Sequence, residues 1–296
     1  MSWRKYMIDA NWNIGFCEQT PENLIKQKRL NKVQWLKHPY KDRWFADPFI
    51  YKVTNDEIIV FVEECNLFGW PKGIICELVI DRRTISLKER HVLLELDTHL
   101  SYPAIIRQDG KVYVYPENGQ SGKLNIYEYD EDNHKLVNPI CILYEAVADA
   151  SIIEKEGQYM MIATKYPETQ EKAYLYQSKS LLGPFVEIST VPFQASRSCS
   201  RPGGNWIDTK EGLFRPAQDC SKHYGGALSI MAIQKKEEGL REKQLLQILP
   251  QAFCYSKGVH TLNFCDGVCV IDGYGYLYQI AGRFFDLLKV FKRAIR

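Results

Sequence analysis

Apolar residues come in short runs along most of this chain, and turn-forming pairs stand just ahead of them. Asn55-Asp56 precedes Ile58 to Val62, Asp109-Gly110 precedes Val112 to Tyr115, Glu156-Gly157 precedes Tyr159 to Ala163, and Asp266-Gly267 precedes Val268 to Ile271. A tight-turn pair followed by an apolar or alternating run of this length predicts a β-hairpin. Further strand-like runs follow, at Gly73 to Ile80, Leu124 to Tyr129, Ala173 to Ser178 and Ala227 to Gln234. The pattern predicts about four strands per unit, the number in a propeller blade.

A related phrase opens each unit: Ala46-Asp47-Pro48-Phe49-Ile50, Ser101-Tyr102-Pro103-Ala104-Ile105, Ala148-Asp149-Ala150-Ser151-Ile152, Ser200-Arg201-Pro202-Gly203-Gly204 and Val259-His260-Thr261-Leu262-Asn263. Its second position advances by 55, 47, 52 and 59 residues. Blades take about 40 to 50 residues, more where loops grow. The reading is an all-β protein, a single five-bladed β-propeller over residues 1–296 with blades opening near 44, 100, 147, 199 and 258. Trp12-Asn13-Ile14-Gly15-Phe16 also reads as a strand, able to pair with the last blade and close the ring. A two-sheet β-sandwich spaces short strands regularly as well, but it gives no reason for one phrase to recur at this period.

The C-terminus differs in kind. From about 281 to 296, apolar residues at 284, 287, 288, 291 and 295 follow helical spacing among Arg and Lys. This predicts an amphipathic helix that lies on an anionic membrane surface, docks on a partner, or packs on the propeller. Lys235-Lys236-Glu237-Glu238 reads as a solvated turn. The hydrophobic share of 45% and charged share of 25% are ordinary for a globular chain. A net charge of +2 argues neither way about nucleic acid, and no nucleic-acid motif is present. The N-terminus lacks a signal-peptide core and no run reaches about 18 apolar residues, so a cytoplasmic location is expected. Nine scattered cysteines without a CxxC pair form neither a disulfide framework nor a zinc site; most are expected to be small buried hydrophobes.

In a propeller, equivalent positions of the innermost strands converge on one pocket. The second positions of the phrase, Asp47, Tyr102, Asp149, Arg201 and His260, are therefore candidate pocket residues. The other ends of the inner hairpins carry Glu63 and Glu64, Glu117, Lys165, Arg215 with Gln218 and Asp219, and Asp272. A hairpin places both its ends on one side of a blade, so the two sets can face one pocket. We take Asp47, Glu117 and Asp149 as candidate catalytic groups. Trp44, Tyr102, Lys165, Arg201, Arg215, Gln218, Asp219 and His260 are candidate substrate-binding groups, while Glu63, Glu64 and Asp272 are assigned no role. Aspartates that cap turns and arginines that join blades are the plainer alternative.

Asp47-Pro48-Phe49-Ile50 and Asp149-Ala150-Ser151-Ile152 resemble the first two acidic motifs of the five-bladed arabinanase, β-xylosidase and levansucrase group, which includes glycoside hydrolase family 43. That resemblance implies a general base at Asp47 and a residue that tunes the acid or orients substrate at Asp149. The chain departs from the pattern in its fourth blade, which carries Arg201 where a later general-acid glutamate is expected. A resemblance spanning nearly the whole chain rests on Trp12-Asn13-Ile14-Gly15, Phe45-Ala46-Asp47-Pro48-Phe49, His99-Leu100-Ser101-Tyr102-Pro103, Pro116-Glu117, Asp149-Ala150-Ser151, Leu182-Gly183-Pro184-Phe185, Arg215-Pro216-Ala217-Gln218-Asp219-Cys220 and Tyr224-Gly225. These resemble the N-terminal propeller-like domain of plant glucosamine inositolphosphorylceramide transferases and their bacterial relatives, which implies sugar handling in glycan or glycolipid assembly.

Three functions fit these residues. The first is a glycosyltransferase of cell-surface polysaccharide or glycolipid synthesis. Arg201, Arg215, Lys165 and His260 would hold a phosphorylated or nucleotide-linked sugar donor, with Mg²⁺ as an accompanying ion and a glycan or lipid-linked acceptor as partner. The terminal helix would hold such an enzyme at the inner face of the membrane. The second is a glycoside hydrolase with Asp47 as base and Glu117 as acid. The third is a sugar-binding propeller without chemistry.

Overall fold

The computed structural model of the protein describes residues 10–67, 72–188, 191–236, 239–250, 253–276 and 278–294. Five four-stranded antiparallel sheets surround a central channel, as the recurring phrase predicts of a five-bladed propeller. Blade one is β3 (Arg43–Val53), β4 (Glu57–Asn66), β5 (Gly73–Asp81) and β6 (Ser86–Leu94). Blade two is β7 (Ser101–Gln108), β8 (Lys111–Glu117), β9 (Leu124–Asp130) and β10 (Lys135–Leu143). Blade three is β11 (Val147–Lys155), β12 (Gln158–Lys165), β13 (Ala173–Ser178) and β14 (Val186–Glu187); blade four is β15 (Ile207–Thr209), β16 (Gly212–Asp219), β17 (Ala227–Lys236) and β18 (Gly239–Ile248).

Blade five is assembled from both ends of the chain. Its inner strands β19 (Leu262–Cys265) and β20 (Val268–Tyr276) are followed in the sheet by β1 (Ala10–Glu18) and β2 (Gln34–Trp35). β1 pairs with β20 from Ala10 opposite Tyr276 to Glu18 opposite Val268, so the ladder leaves no open edge between first and last blades. Between β1 and β2 lies α1 (Pro21–Gln27), which the strand-period reading passes over. Thr20 caps it by accepting the Asn23 N–H, and Pro21 opens its first turn. The terminal helix α2 (Gln279–Ala294) begins slightly before the expected position. Lys235 and Lys236 end β17, while Glu237 and Glu238 lie outside the described residues.

The recurring phrase has a backbone cause. Its second residue in blades one to three adopts a left-handed conformation, with φ of 49° at Asp47, 47° at Tyr102 and 50° at Asp149. At those points the inner ladder slips, between Ala46 and Phe49, Ser101 and Ala104, and Ala148 and Ser151. Each is a β-bulge, which re-aims one side chain relative to the regular pleat. Aspartate tolerates this conformation, whereas Tyr102 holds it at a cost of about 1–3 kcal/mol that surrounding contacts must offset.

Apolar side chains fill the seams between blades. Phe49, Phe61, Tyr115, Ala163 and Tyr176 belong to one buried cluster spanning blades one to three. Ile14, Phe16 and Val270 join Phe45, Val60 and Leu78 in a second that spans the closure. Six of the nine cysteines are buried, and all nine are free thiols. Ile14 sits in the closing strand with no exposed surface. Its replacement by Ala is expected to cost about 2–5 kcal/mol, whereas Tyr144→Ala, at a side chain 85% exposed, should stay within about 0.5 kcal/mol. Urea denaturation followed by circular dichroism checks both; a small loss at Ile14 would mean that the closing strand is not part of the cooperative unit.

Candidate active site

The floor of the channel is a single side chain. Tyr102 is fully buried, and its hydroxyl accepts the Gly204 N–H at 2.7 Å and lies 2.9 Å from Ser151 Oγ, so it bridges blades two, three and four. Ser151 Oγ in turn donates to Gly204 O at 2.9 Å. Blades four, five and one are joined at the same level. Asn263 donates to Pro48 O at 2.8 Å, and its Oδ1 accepts the Asn205 N–H at 2.8 Å. Tyr102 is therefore a plug, and the substrate-binding role expected for it does not fit a ring with no open face.

Beside this plug two carboxylate groups meet. In the first, the Asp272 side chain accepts the main-chain N–H of His260 at 2.8 Å, of Thr261 at 3.0 Å and, from the next blade, of Asp47 at 3.3 Å. The Asp47 carboxylate accepts the Thr261 hydroxyl at 2.6 Å and the Tyr102 N–H at 3.2 Å. His260 Nδ1 stands 2.5 Å from Asp272 Oδ2 and 3.6 Å from Asp47 Oδ1. Glu63 lies beside Asp47, close enough for the two carboxyls to act on each other. His99 Nδ1 accepts the Gly73 N–H at 2.8 Å, so its proton is on Nε2, which faces Glu63 Oε1 at 3.3 Å.

In the second group, Glu117 accepts the main-chain N–H of Asp149 at 3.0 Å and the Tyr166 hydroxyl. Arg201 spans both acids, with Nε 2.5 Å from Asp149 Oδ2 and Nη2 3.3 Å from Glu117 Oε2. Gln218 Nε2 donates to the same Asp149 oxygen at 2.5 Å and to Pro202 O at 2.9 Å. An aromatic wall stands over these groups. Trp12 stacks on His260 at 3.9 Å and on Tyr274 at 4.8 Å, while the half-exposed Tyr224 lies over the Arg201 guanidinium at 5.3 Å.

Crowding five acids into a buried space separates their proton affinities. Burial pushes Glu63 well above the usual carboxylate range, and the charges of Asp47, Glu117 and Asp149 push it further. Asp149 is also driven well up by burial and by Glu117, despite the pull of Arg201. Burial works on Glu117 too, but Arg201 and the hydrogen bonds from Asp149 and Tyr166 hold it below its ordinary value. Asp47 is raised by burial, with His260 opposing and Asp272 reinforcing. Burial pulls His260 down, and the Asp272 and Asp47 carboxylates outweigh that and raise it. The result is two acid pairs, Glu63 with Asp47 and Asp149 with Glu117, in which the first member is pushed to bind its proton more tightly than the second.

The predicted site residues divide. Asp47, Glu117, Asp149, Arg201, Gln218 and His260 converge at the channel. Arg215 does not: it is buried against Glu242 on β18, with Nη2 2.8 Å from Glu242 Oε2 and 2.6 Å from Cys199 O. Lys165 is held by Glu145 at 3.0 Å and Glu187 at 2.8 Å, over the ring of Tyr174. Asp219 accepts from Ser221 and Gln247 in the turn after β16. Trp44 is half-buried near the start of β3, opposite Cys65 of β4. Arg215 and Lys165 are thus neutralised inside their blades, and Arg201 by two site acids, because a buried guanidinium or ammonium requires a carboxylate partner. The anion-binding role expected of these cations is not supported: their charges are spent on these carboxylates, and the one unpartnered nitrogen of Arg215, Nη1, is buried.

Four members of the site, Glu63, Asp272, Thr261 and Trp12, carry no prior assignment. Glu63 and Asp272 stand at the hairpin ends equivalent to Glu117, where the sequence places them without a role. Glu64, beside Glu63, faces the other way and pairs with Arg43 at 3.0 Å and with Arg90. Asp47, His260 and Asp272 bring three ligand-type atoms within 4.8 Å of one another. They do not suit Mg²⁺, which prefers near-octahedral oxygen ligands; here an imidazole sits between carboxylates whose lone pairs already accept four N–H groups and a hydroxyl.

The fold is that of the five-bladed carbohydrate-active propellers. A thermostable family-43 glycoside hydrolase superposes with a TM-score of 0.54 at 16% identity, covering 75% of this chain and 83% of that one. A family 117 glycoside hydrolase from Zobellia galactanivorans superposes with a TM-score of 0.55 at 12% identity, covering 91% of each. Within that architecture, residues 32–249 match the family described as glucosamine inositolphosphorylceramide transferase 1, N-terminal, and the chain belongs to that family. Glucosamine inositolphosphorylceramide transferase 1 of Oryza sativa subsp. japonica is 26% identical over 207 residues, 67% of this chain and 28% of that protein. The protein of the same name from Arabidopsis thaliana is 27% identical over 203 residues, 66% and 26% respectively. The chain spans little more than a quarter of the length of these relatives.

The raised carboxyl of Glu63 gives a signed pH effect. A group that binds its proton more tightly when folded stabilises fully below its unfolded value, 4.5 for Glu, and that contribution is lost as pH rises through the folded value. The raised His260 acts with the same sign above 6.5. Between about pH 5 and pH 8 the melting temperature of the native protein should therefore fall more steeply than that of Glu63→Gln, in melts followed by circular dichroism. Parallel profiles would mean that Glu63 ionises as an ordinary surface acid.

Proposed function

We propose that the protein is a glycosyltransferase of cell-surface polysaccharide or glycolipid synthesis that works through its central acid pairs. The observation that carries this reading is the convergence of buried acids from several blades, with burial and neighbouring charge driving Glu63 well above its ordinary range beside a less strongly raised Asp47, in a domain whose relatives are named transferases. Pairs of acids whose surroundings drive their proton affinities apart mark acid and base roles. Asp47 takes the proton of an acceptor hydroxyl as that oxygen bonds to the sugar's anomeric carbon. Glu63 returns a proton to the departing oxygen as the old glycosidic or phosphate-ester bond breaks. Asp149, fixed by Gln218 from behind, orients a sugar hydroxyl, Arg201 holds Glu117 down, and Tyr224 and Tyr166 offer ring faces at the rim.

A phosphorylated or nucleotide-linked donor fits with its sugar in this acidic depth and its phosphate outside, because like charges repel and Arg201 is committed to Asp149 and Glu117. Glu117, held ionised, suits the general-acid role of the hydrolase reading less well than Glu63.

The same reading places the protein at the inner face of the membrane through α2. Ile280 is 85% exposed, and Phe284, Leu287 and Leu288 are exposed at helical spacing beyond it. Arg283, Lys289, Lys292, Arg293 and Arg296 stand against the single acid Asp286 in this segment, a balance that favours anionic lipid. Among the described residues no helix is long and apolar enough to cross a membrane.

The enzyme is tested by calorimetry and product analysis against nucleotide sugars, sugar phosphates and neutral oligosaccharides. Transfer of the sugar to an acceptor is expected, and Asp47→Asn should lower kcat by about 10²–10⁴-fold with its melting temperature retained, since Asn tolerates the left-handed conformation. Full activity in a folded Asp47→Asn, or release of free sugar from neutral glycans only, would reject the reading. For the helix, flotation with phosphatidylglycerol vesicles should capture the protein and release the Ile280→Ser/Leu287→Ser variant; equal capture of both would reject the membrane contact.

A further inference from the structure

A second cluster of ligand-type side chains lies at the seam between blades one and two, on strands away from the channel. Glu77 of β5 and His91 of β6 are direct cross-strand partners, so they project from one face of blade one. Blade two reaches them with Tyr129 at the end of β9 and His134 in the turn that follows. His134 has a φ of 49°, and its ring lies parallel to His91 with centroids 3.9 Å apart and planes 6° apart. Its Nδ1 is 2.8 Å from Glu77 Oε1, and the Tyr129 hydroxyl donates to Glu77 Oε2.

The chemistry of this cluster is unlike that of the interblade salt bridges. Glu77 has a side chain only 1% exposed, and among the described residues its one ion-pairing partner is His134, a group that carries charge only when protonated. Buried carboxylates are as a rule paired with a cation or coordinate a metal. The two imidazoles remain open to solvent, at 30% for His91 and 39% for His134. One ligand atom from each of the three residues lies within 4.8 Å of the other two.

We propose that Glu77, His91 and His134 form a divalent transition-metal site, filled by Zn²⁺, that clips blade one to blade two. Two imidazoles and a carboxylate leave a fourth tetrahedral position for water, the ligand set of an open zinc site. A nitrogen and oxygen donor set of this kind suits Zn²⁺ and its neighbours rather than Mg²⁺ or Ca²⁺. Zinc bonds of about 2.0–2.1 Å would part the stacked rings slightly and lengthen the contact between His134 and Glu77. Both rings stand at the surface and can turn, while Glu77 is fixed from behind by the Tyr129 hydroxyl, the outer partner that a metal-binding carboxylate usually has. Glu89 Oε2, 3.2 Å from His91 Nε2, orients the second imidazole from its other side. A metal here adds bonds across a seam otherwise joined by side-chain contacts, and binding confined to the folded state stabilises it.

The full chain, freed of metal with a chelator and carrying no affinity tag, is titrated with Zn²⁺ by calorimetry, and its melting is followed with and without the ion. His91→Ala, His134→Ala and Asp47→Asn are run beside it. We expect a one-to-one site in the native protein that raises the melting temperature. Each histidine variant should weaken binding by at least about tenfold and lose the rise, while Asp47→Asn, at the channel, should keep both. No binding, equal affinity in the native protein and both histidine variants, or a loss confined to Asp47→Asn would overturn the proposal.

Discussion

The centre of this propeller depends on acids that accept main-chain N–H groups across blade boundaries. Asp272 of blade five receives the N–H of Asp47 in blade one, Asp47 receives that of Tyr102 in blade two, and Glu117 of blade two receives that of Asp149 in blade three. A bulge frees a main-chain donor from its ladder, and a buried N–H without a partner costs free energy comparable to a lost hydrogen bond. The neighbouring carboxylate removes that cost. The side chains aimed at the channel are thus positioned by the contact that joins the blades, so chemistry and assembly share the same atoms.

This arrangement constrains charge. Acids close enough to hold adjacent bulges are close enough to repel, and burial multiplies the repulsion. One arginine and one histidine are present to offset five carboxylates, so protons must reside on some of the acids. Glu63 and Asp149 are pushed furthest up, Glu63 by burial among the charges of Asp47, Glu117 and Asp149, and Asp149 by burial and Glu117, while Glu117 is held down by Arg201 and by the donors of Asp149 and Tyr166. A site with acid and base in neighbouring positions follows from packing as much as from any single residue.

Much of the architecture was legible in the residues. The recurrence of Asp-Pro, Tyr-Pro, Asp-Ala and Arg-Pro ahead of apolar runs marked the blades because each phrase meets one geometric need, a bulge beside the channel. Asp47, Glu117 and Asp149 were identifiable as acids at equivalent ends of inner hairpins. Glu63 was not separable from Glu64, since two adjacent glutamates on a strand give no sign of which faces the channel and which meets Arg43 and Arg90. Arg215 and Lys165 misled for the same reason: their partners Glu242, Glu145 and Glu187 are distant in the chain, and charge neutralisation is a matter of spatial neighbours.

What the sequence by itself determined is the periodic part: strand length, turn positions, blade number, the closing strand and the residue types offered to the centre. These depend on local propensity and on period-two alternation, which a one-dimensional pattern carries. Only the tertiary structure decided which acid is pushed up and which down, which cation is spent on a neighbour, that Tyr102 ties three blades at the centre, and that Glu77, His91 and His134 meet at a seam. Each of those depends on distances of a few ångströms between residues tens of positions apart, and electrostatic energy in a buried space changes steeply over such distances.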